Sequence, residues 1–160
     1  MDKFETYQYL RNHNISFEAI EHPAVFNMEE AAAIDLPYPE CEAKNLFVRD
    51  DKRRGYYLIT VKGDKRVNLK SFRQQHDLRA LSFASAEELL AVMRLAPGAV
   101  TPLGILNDTD RRVHFYLDAE FAGGRIAVHP NENTATVYMR ANDLMQLIRE
   151  KGNDAEFVEI

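Results

Sequence analysis

Apolar residues along this chain change period repeatedly, and each change marks an element. Phe4, Tyr7 and Leu10 recur at helical spacing, which predicts an opening helix ending near Asn12-His13-Asn14. Residues 16–21 alternate like a half-buried strand. Asn27 followed by Glu30 predicts a helix start, and the helix over 28–34 then meets Leu36-Pro37-Tyr38-Pro39, which cannot stay helical. Two β-rich runs, 45–48 and 56–61, flank a charged tip at Gly55 and read as a hairpin, followed by a turn at Lys62-Gly63-Asp64-Lys65. A short helix is expected over 69–76. Ser85 and Glu88 have capping-box spacing, and the apolar positions behind them carry a helix to about Arg94. Strands are expected near 104–106, 113–117, 125–129 and 134–139. A helix over 142–150 then places Leu144, Leu147 and Ile148 on one face, stops at Gly152, and leaves a last short strand at Phe157-Val158. Helices and strands mix without regular βαβ alternation. The expected fold is α+β with a mixed, largely antiparallel sheet.

Composition narrows this further. A chain of 160 residues is the size of one domain, so 1–160 is expected to form a single unit. No stretch approaches the ~20 apolar residues that cross a bilayer, so no membrane partner is expected. The one cysteine, Cys41, excludes an internal disulfide and any CxxC motif. The first residues, Met1-Asp2-Lys3-Phe4-Glu5, lack the basic and apolar regions of a secretory signal, so the expectation is a cytoplasmic protein.

Net charge is −5, but it is unevenly spread. Residues 44–79 hold eleven bases against four acids, a local charge of +7, which leaves −12 on the other 124 residues. That polarity suits a basic face for phosphates on an otherwise acidic, soluble protein. It is equally the pattern of a hairpin tip, Lys52-Arg53-Arg54-Gly55, and solvated strand edges.

The chain has no GxGxxG, Walker, GxSxG or HExxH motif, and its five histidines are scattered. Cys41 lies between Glu40 and Glu42, which raise a thiol pKa and make it a poor nucleophile. Three segments remain. In Glu42-Ala43-Lys44-Asn45-Leu46-Phe47-Val48 a Lys-Asn pair opens an apolar strand, a place where a lysine stem packs and its ammonium faces a cleft, or where an edge lysine blocks aggregation. Ala96-Pro97-Gly98-Ala99-Val100-Thr101-Pro102-Leu103-Gly104, with two prolines and two glycines, makes a stiff loop whose backbone approaches a ligand closely, or a tight connector between a helix and a strand. Val128-His129-Pro130 ends an apolar strand in a polar turn.

Together, in this order and spacing, Lys44-Asn45-Leu46-Phe47, the GxxxP loop Gly98–Pro102, and Val128-His129-Pro130 with Asn133-Thr134-Ala135-Thr136-Val137 resemble the YbaK/ProX family of aminoacyl-tRNA editing domains, over nearly the whole chain. The resemblance implies a barrel-like core in the α+β fold. It implies hydrolysis, in trans, of an amino acid wrongly esterified to a tRNA; the short free-standing members look like the type that removes alanine from tRNA(Pro). Lys44 then matches the essential lysine. Gly98 and Pro102 frame the loop holding the aminoacyl group, with Ala99, Val100 and Thr101 inside it, and Asn45 and His129 match further pocket positions. The implied partners are the acceptor end of a mischarged tRNA(Pro) and, as a docking partner, prolyl-tRNA synthetase; no cofactor or metal is called for.

An aminoacyl ester is already activated, so such a site has only to position water and stabilise an oxyanion. On this reading Lys44 holds the terminal phosphate or the carbonyl side of the ester, loop N–H groups orient the substrate, and the substrate's own ribose hydroxyl activates the water. Arg49, Arg53 and Arg79 are expected to flank the pocket mouth and meet acceptor-stem phosphates. The competing readings are the same fold acting on cysteine, serine or threonine esters, and a non-catalytic module that binds tRNA or a synthetase. Deacylation assays on differently charged tRNA(Pro) separate the three.

Overall fold

The computed structural model describes residues 1–25, 30, 33, 34 and 36–160. The expected helix over 28–34, with its start at Asn27, lies largely outside the described residues. The opening helix is α1 (Lys3–Asn12), started by a reciprocal capping box between Asp2 and Glu5. Tyr7 and Leu10 turn into the core, but Phe4 stands in solvent with its ring edge-on to Tyr7. β1 (Phe17–Glu21) follows. β2 (Ala43–Asp50) and β3 (Tyr56–Lys62) form the expected hairpin, closed at its tip by Asp50, whose carboxylate accepts from the N–H groups of Lys52, Arg54 and Gly55. α2 (Leu69–Gln75), β4 (Leu81–Phe83) and α3 (Ala86–Met93) come next, α3 opened by the capping box of Ser85 and Glu88. β5 (Val113–Asp118), β6 (Arg125–Val128), β7 (Ala135–Arg140), α4 (Ala141–Lys151) and β8 (Ala155–Val158) complete the described elements, with Gly152 ending α4 in a left-handed conformation.

Among the described residues the strands form two open sheets. β1, β7 and β6 make one, in that order; β4, β2, β3, β5 and β8 make the other. The barrel-like closure implied by the resemblance is not formed among the described residues. Four of the six pairings are antiparallel, while β3 with β5 and β5 with β8 run parallel, so the mixed, largely antiparallel expectation holds.

Alternation along β2 and β3 explains how the larger sheet is packed. Phe47 and Leu58 point into the main core, shared with Ile126 and Val128 of β6, Val137 and Met139 of β7, and helices α1, α3 and α4. Leu46, Val48, Ile59 and Val61 point the other way, into a second layer closed by Phe72 of α2.

One expected strand is absent. Residues 104–106 belong to a 3₁₀ helix, Pro102–Asn107, because Pro102 presets its first turn and the Thr101 hydroxyl accepts from Leu103 N–H at 3.3 Å. Its residues Pro102 to Leu106 are buried, and a short apolar run does not distinguish helix from strand. β4, by contrast, was not foreseen: it is three residues long and pairs only with the far end of β2.

Candidate active site

A cavity of about 370 Å³ opens between the two sheets. Its walls come from β2 and the residue before it (Glu42, Ala43, Asn45), from β6 and its end (Ala127, Val128, His129), from β7 (Thr136, Tyr138), and from Gly98, Gly63, His22, Val25, Ile34, Leu36 and Asn133. It falls near the small end of the roughly 300–1,000 Å³ typical of small-molecule sites.

Two residues fix its shape. Asn45 accepts from the Thr60 hydroxyl of β3 at 2.6 Å and donates through Nδ2 to the Val100 carbonyl at 3.3 Å, tying the larger sheet to the Gly98–Pro102 loop. Thr101 is buried, and its hydroxyl donates to the His129 carbonyl at 2.7 Å, tying the same loop to the end of β6. The loop is thus fastened to both sheets. Within it, Gly98 has φ +91°, a conformation that side-chain-bearing residues rarely adopt. An added methyl meets nothing closer than Asn133 Nδ2 at 3.7 Å, so the obstacle is backbone strain rather than space. Gly98→Ala is expected to cost about 1–2 kcal/mol of stability by denaturant titration. Relaxation of the strained turn shifts the cavity wall and lowers kcat/KM about tenfold or more.

The imidazole of His129 has a defined tautomer. Its Nδ1 lies 3.0 Å from the Ala135 carbonyl, which can only accept, so Nδ1 carries the hydrogen and Nε2 keeps its lone pair. Burial lowers the pKa of this ring, against the opposing pull of the Ala135 carbonyl, and the nearby His22 lowers it further. The result is a neutral acceptor in the cavity wall. His22 is engaged at both nitrogens, with the Pro23 carbonyl at 2.8 Å and the Thr136 hydroxyl at 2.9 Å. Asn133 Nδ2 donates to the Val25 carbonyl.

Of the residues singled out from sequence, Asn45, Gly98 and His129 converge on this cavity. Ala99, Val100, Thr101 and Pro102 do not line it among the described residues; Ala99, Thr101 and Pro102 are buried behind the wall and hold the loop in place. The walls expected from Ala99 and Val100 are supplied instead by Ala43, Ala127, Val128, Val25, Ile34 and Leu36. Lys44 also departs from expectation. Strand alternation places it on the face of Leu46 and Val61, opposite Asn45, and it is exposed rather than turned into the cavity toward the Gly98–Pro102 loop. Among the described residues its ammonium makes no hydrogen bond or ion pair.

The three arginines expected at the mouth lie elsewhere. Arg49, Arg53 and Arg79 gather toward the hairpin end of β2, with Arg49 about 13 Å along the strand from Asn45 and the other two beyond it. Arg49 contacts Glu88 at 3.3 Å. Burial pulls the Glu88 pKa up, but hydrogen bonds from Ser85, Tyr56 and Arg49 outweigh it and hold the value at about 2, so Arg49 faces a permanent carboxylate. Arg79 pairs with Asp51, and Arg53 sits at the tip with φ +54°.

Sequence reading did not find His22, Glu42, Asn133, Thr136 or Tyr138 as cavity residues. The pairing of β1 with β7 and of β6 with β7 carries most of them there across more than a hundred residues of chain.

Fold and cavity together define, among the described residues, a two-sheet α+β protein with a small-ligand site between the sheets. The aminoacyl-tRNA editing domain family matches residues 22–147. The prolyl-tRNA editing protein ProX of Acetoanaerobium sticklandii is 37% identical over 147 residues, covering 91% of this chain and 90% of that protein. Prolyl-tRNA synthetase associated domain-containing protein 1 of Bos taurus is 33% identical over 145 residues, covering 88% of this chain and 84% of its own length. The crystal structure of a candidate trans-editing enzyme for prolyl tRNA synthetase superposes with a TM-score of 0.71 at 22% identity, over 99% of this chain and 96% of that one, a likeness of fold. The chain belongs to the aminoacyl-tRNA editing domain family, and its chemistry is that of an aminoacyl-tRNA hydrolase.

Proposed function

We propose that this protein hydrolyses alanine from mischarged tRNA(Pro), in trans, and spares the correctly charged prolyl ester. The observation that carries the reading is the cavity in which Asn45, Gly98 and His129 meet, small and fastened at both sheets. Both relatives above are named for prolyl-tRNA editing or for the prolyl-tRNA synthetase, and they cover nearly the same length.

In this reading the aminoacyl group enters between the sheets and the terminal ribose stays at the mouth. His129 Nε2 accepts a hydrogen bond from the attacking water, whose oxygen adds to the ester carbonyl. The ribose hydroxyl next to the ester relays that proton, accepting it from the water while passing its own to the ester's ribose oxygen, whose bond to the carbonyl carbon breaks, and free alanine and uncharged tRNA leave. Lys44, exposed beside the wall residues Ala43 and Asn45, meets the terminal phosphate as a point charge. Docking on a prolyl-tRNA synthetase presents the mischarged end to the site.

Selectivity rests on size. A synthetase pocket shaped for proline cannot strongly reject a smaller amino acid, since a missing methylene is worth only ~1–3 kcal/mol. A second site that admits the alanyl ester and excludes the proline ring supplies the missing discrimination. Deacylation of alanyl-, cysteinyl-, seryl- and prolyl-tRNA(Pro) by the purified protein tests this. The expected result is rapid loss of alanine with the prolyl ester untouched. Turnover led by cysteine or serine overturns the alanine assignment, and no turnover on any ester overturns the enzyme reading.

A further inference from the structure

Among the described residues, the cavity lining holds one carboxylate, Glu42, and no lysine or arginine. Glu42 follows the 3₁₀ turn Pro39–Cys41, and its backbone is pinned on both sides. Its N–H donates to the Pro39 carbonyl at 3.2 Å, and its own carbonyl accepts from Gly63 N–H at 2.8 Å. The side chain is exposed, and its carboxylate has no hydrogen bond or ion pair among the described residues.

A second polar group lines the same cavity. Tyr138 lies on β7 opposite Ala127, another wall residue, which fixes its ring on the cavity face of the sheet. The residue is only 2% exposed, yet its hydroxyl makes no hydrogen bond among the described residues. The residue lines the cavity and its hydroxyl is not among the buried unpartnered atoms, so the oxygen is open to the space that a ligand would fill. Burial, then the fields of Cys41 and Glu42, push the Tyr138 pKa up, so the hydroxyl stays protonated and Glu42 lies within its electrostatic reach.

An aminoacyl ester presents one cationic group, the α-ammonium, next to the carbonyl that reacts. We propose that Glu42 and the Tyr138 hydroxyl form the subsite that reads this α-ammonium, the carboxylate supplying charge and the phenol oxygen accepting a hydrogen bond. The inference rests on the ester-hydrolase reading above and deepens it. It divides recognition into two parts: charge selects α-amino esters as a class, while the apolar walls select by size within that class. Proline keeps a charged secondary amine, so this subsite does not separate alanine from proline.

The test uses two non-hydrolysable probes, 3′-alanylamido-3′-deoxyadenosine and its 3′-propionylamido counterpart, which differ only in the amine. Wild-type protein is expected to bind the alanyl probe about tenfold or more tightly, as a charge-assisted hydrogen bond allows. E42Q is expected to shrink that ratio below about threefold by weakening the alanyl probe alone, and Y138F to reduce it in part at unchanged thermal stability. Equal binding of the two probes by wild type, or equal weakening of both by E42Q, overturns the subsite. Discrimination between probes without turnover of any charged tRNA keeps the subsite and instead overturns the deacylase reading.

Discussion

Lys44→Ala lowers kcat/KM on alanyl-tRNA(Pro) about 100-fold or more, with a thermal midpoint unchanged to within experimental scatter. The two halves of this expectation have separate causes. Lys44 is exposed and makes no hydrogen bond or ion pair among the described residues, so the folded state loses almost nothing when the side chain is cut back. The substrate, however, loses the cation that the proposed reading sets against its terminal phosphate, beside the wall residues Ala43 and Asn45. Because a point charge on phosphate is screened by salt, wild-type kcat/KM falls as ionic strength rises, while the variant responds less. Steady-state kinetics at two salt concentrations, with a melting curve for each protein, decide it. Unchanged kcat/KM in the variant removes Lys44 from the site.

His129→Ala is expected to cost between about 100-fold and 10,000-fold in kcat, the range for removing a positioned acceptor of a proton-bearing group. Its pH profile is the sharper signature. Burial first, and His22 after it, hold the His129 pKa below the usual 6.5 of histidine, against the Ala135 carbonyl that favours the charged ring. The acceptor form is therefore fully present at neutral pH. Activity stays level as pH falls toward 6.5 and drops only below it, when Nε2 takes a proton. The substrate α-ammonium stays protonated throughout that acid range and adds no second limb there. In the Ala variant the acid limb vanishes along with most of the rate. A wild-type profile falling already between pH 8 and 7, or an acid limb retained by the variant, removes His129 as the acceptor.

Several elements announced themselves locally. The capping box at Ser85, the hairpin around Gly55 and the stop at Gly152 are each decided by a few adjacent residues, and each lies where the pattern put it. The 3₁₀ helix Pro102–Asn107 failed that test, because a fully buried apolar run has no period to read and Pro102 decided its geometry. The three-residue β4 carries too little pattern of its own; pairing with the far end of β2 makes it a strand.

The site divides in the same manner. Asn45, Gly98 and His129 sit in motifs, whereas His22 and Tyr138 have no local signature. Only the pairing of strands distant in sequence makes them neighbours. The placing of Lys44 was open to sequence reasoning all along. Adjacent side chains of one strand point to opposite faces, so regular β structure that turns the Asn45 side chain toward the cavity turns the Lys44 side chain to the other face. The arginine cluster yields to similar counting, since an eight-residue strand separates its two ends by more than the width of a small ligand.

Asn45 and Thr101 pin one short loop to two separate sheets, and that arrangement makes the distance between the sheets a gauge. A gauge held by two hydrogen bonds has a characteristic way of wearing out. If either bond loosens, the gap widens before the reacting groups are lost, so correctly made product begins to be destroyed while wrong product is still cleared. For a proofreader, that drift is more damaging than silence, since it drains the supply it exists to protect.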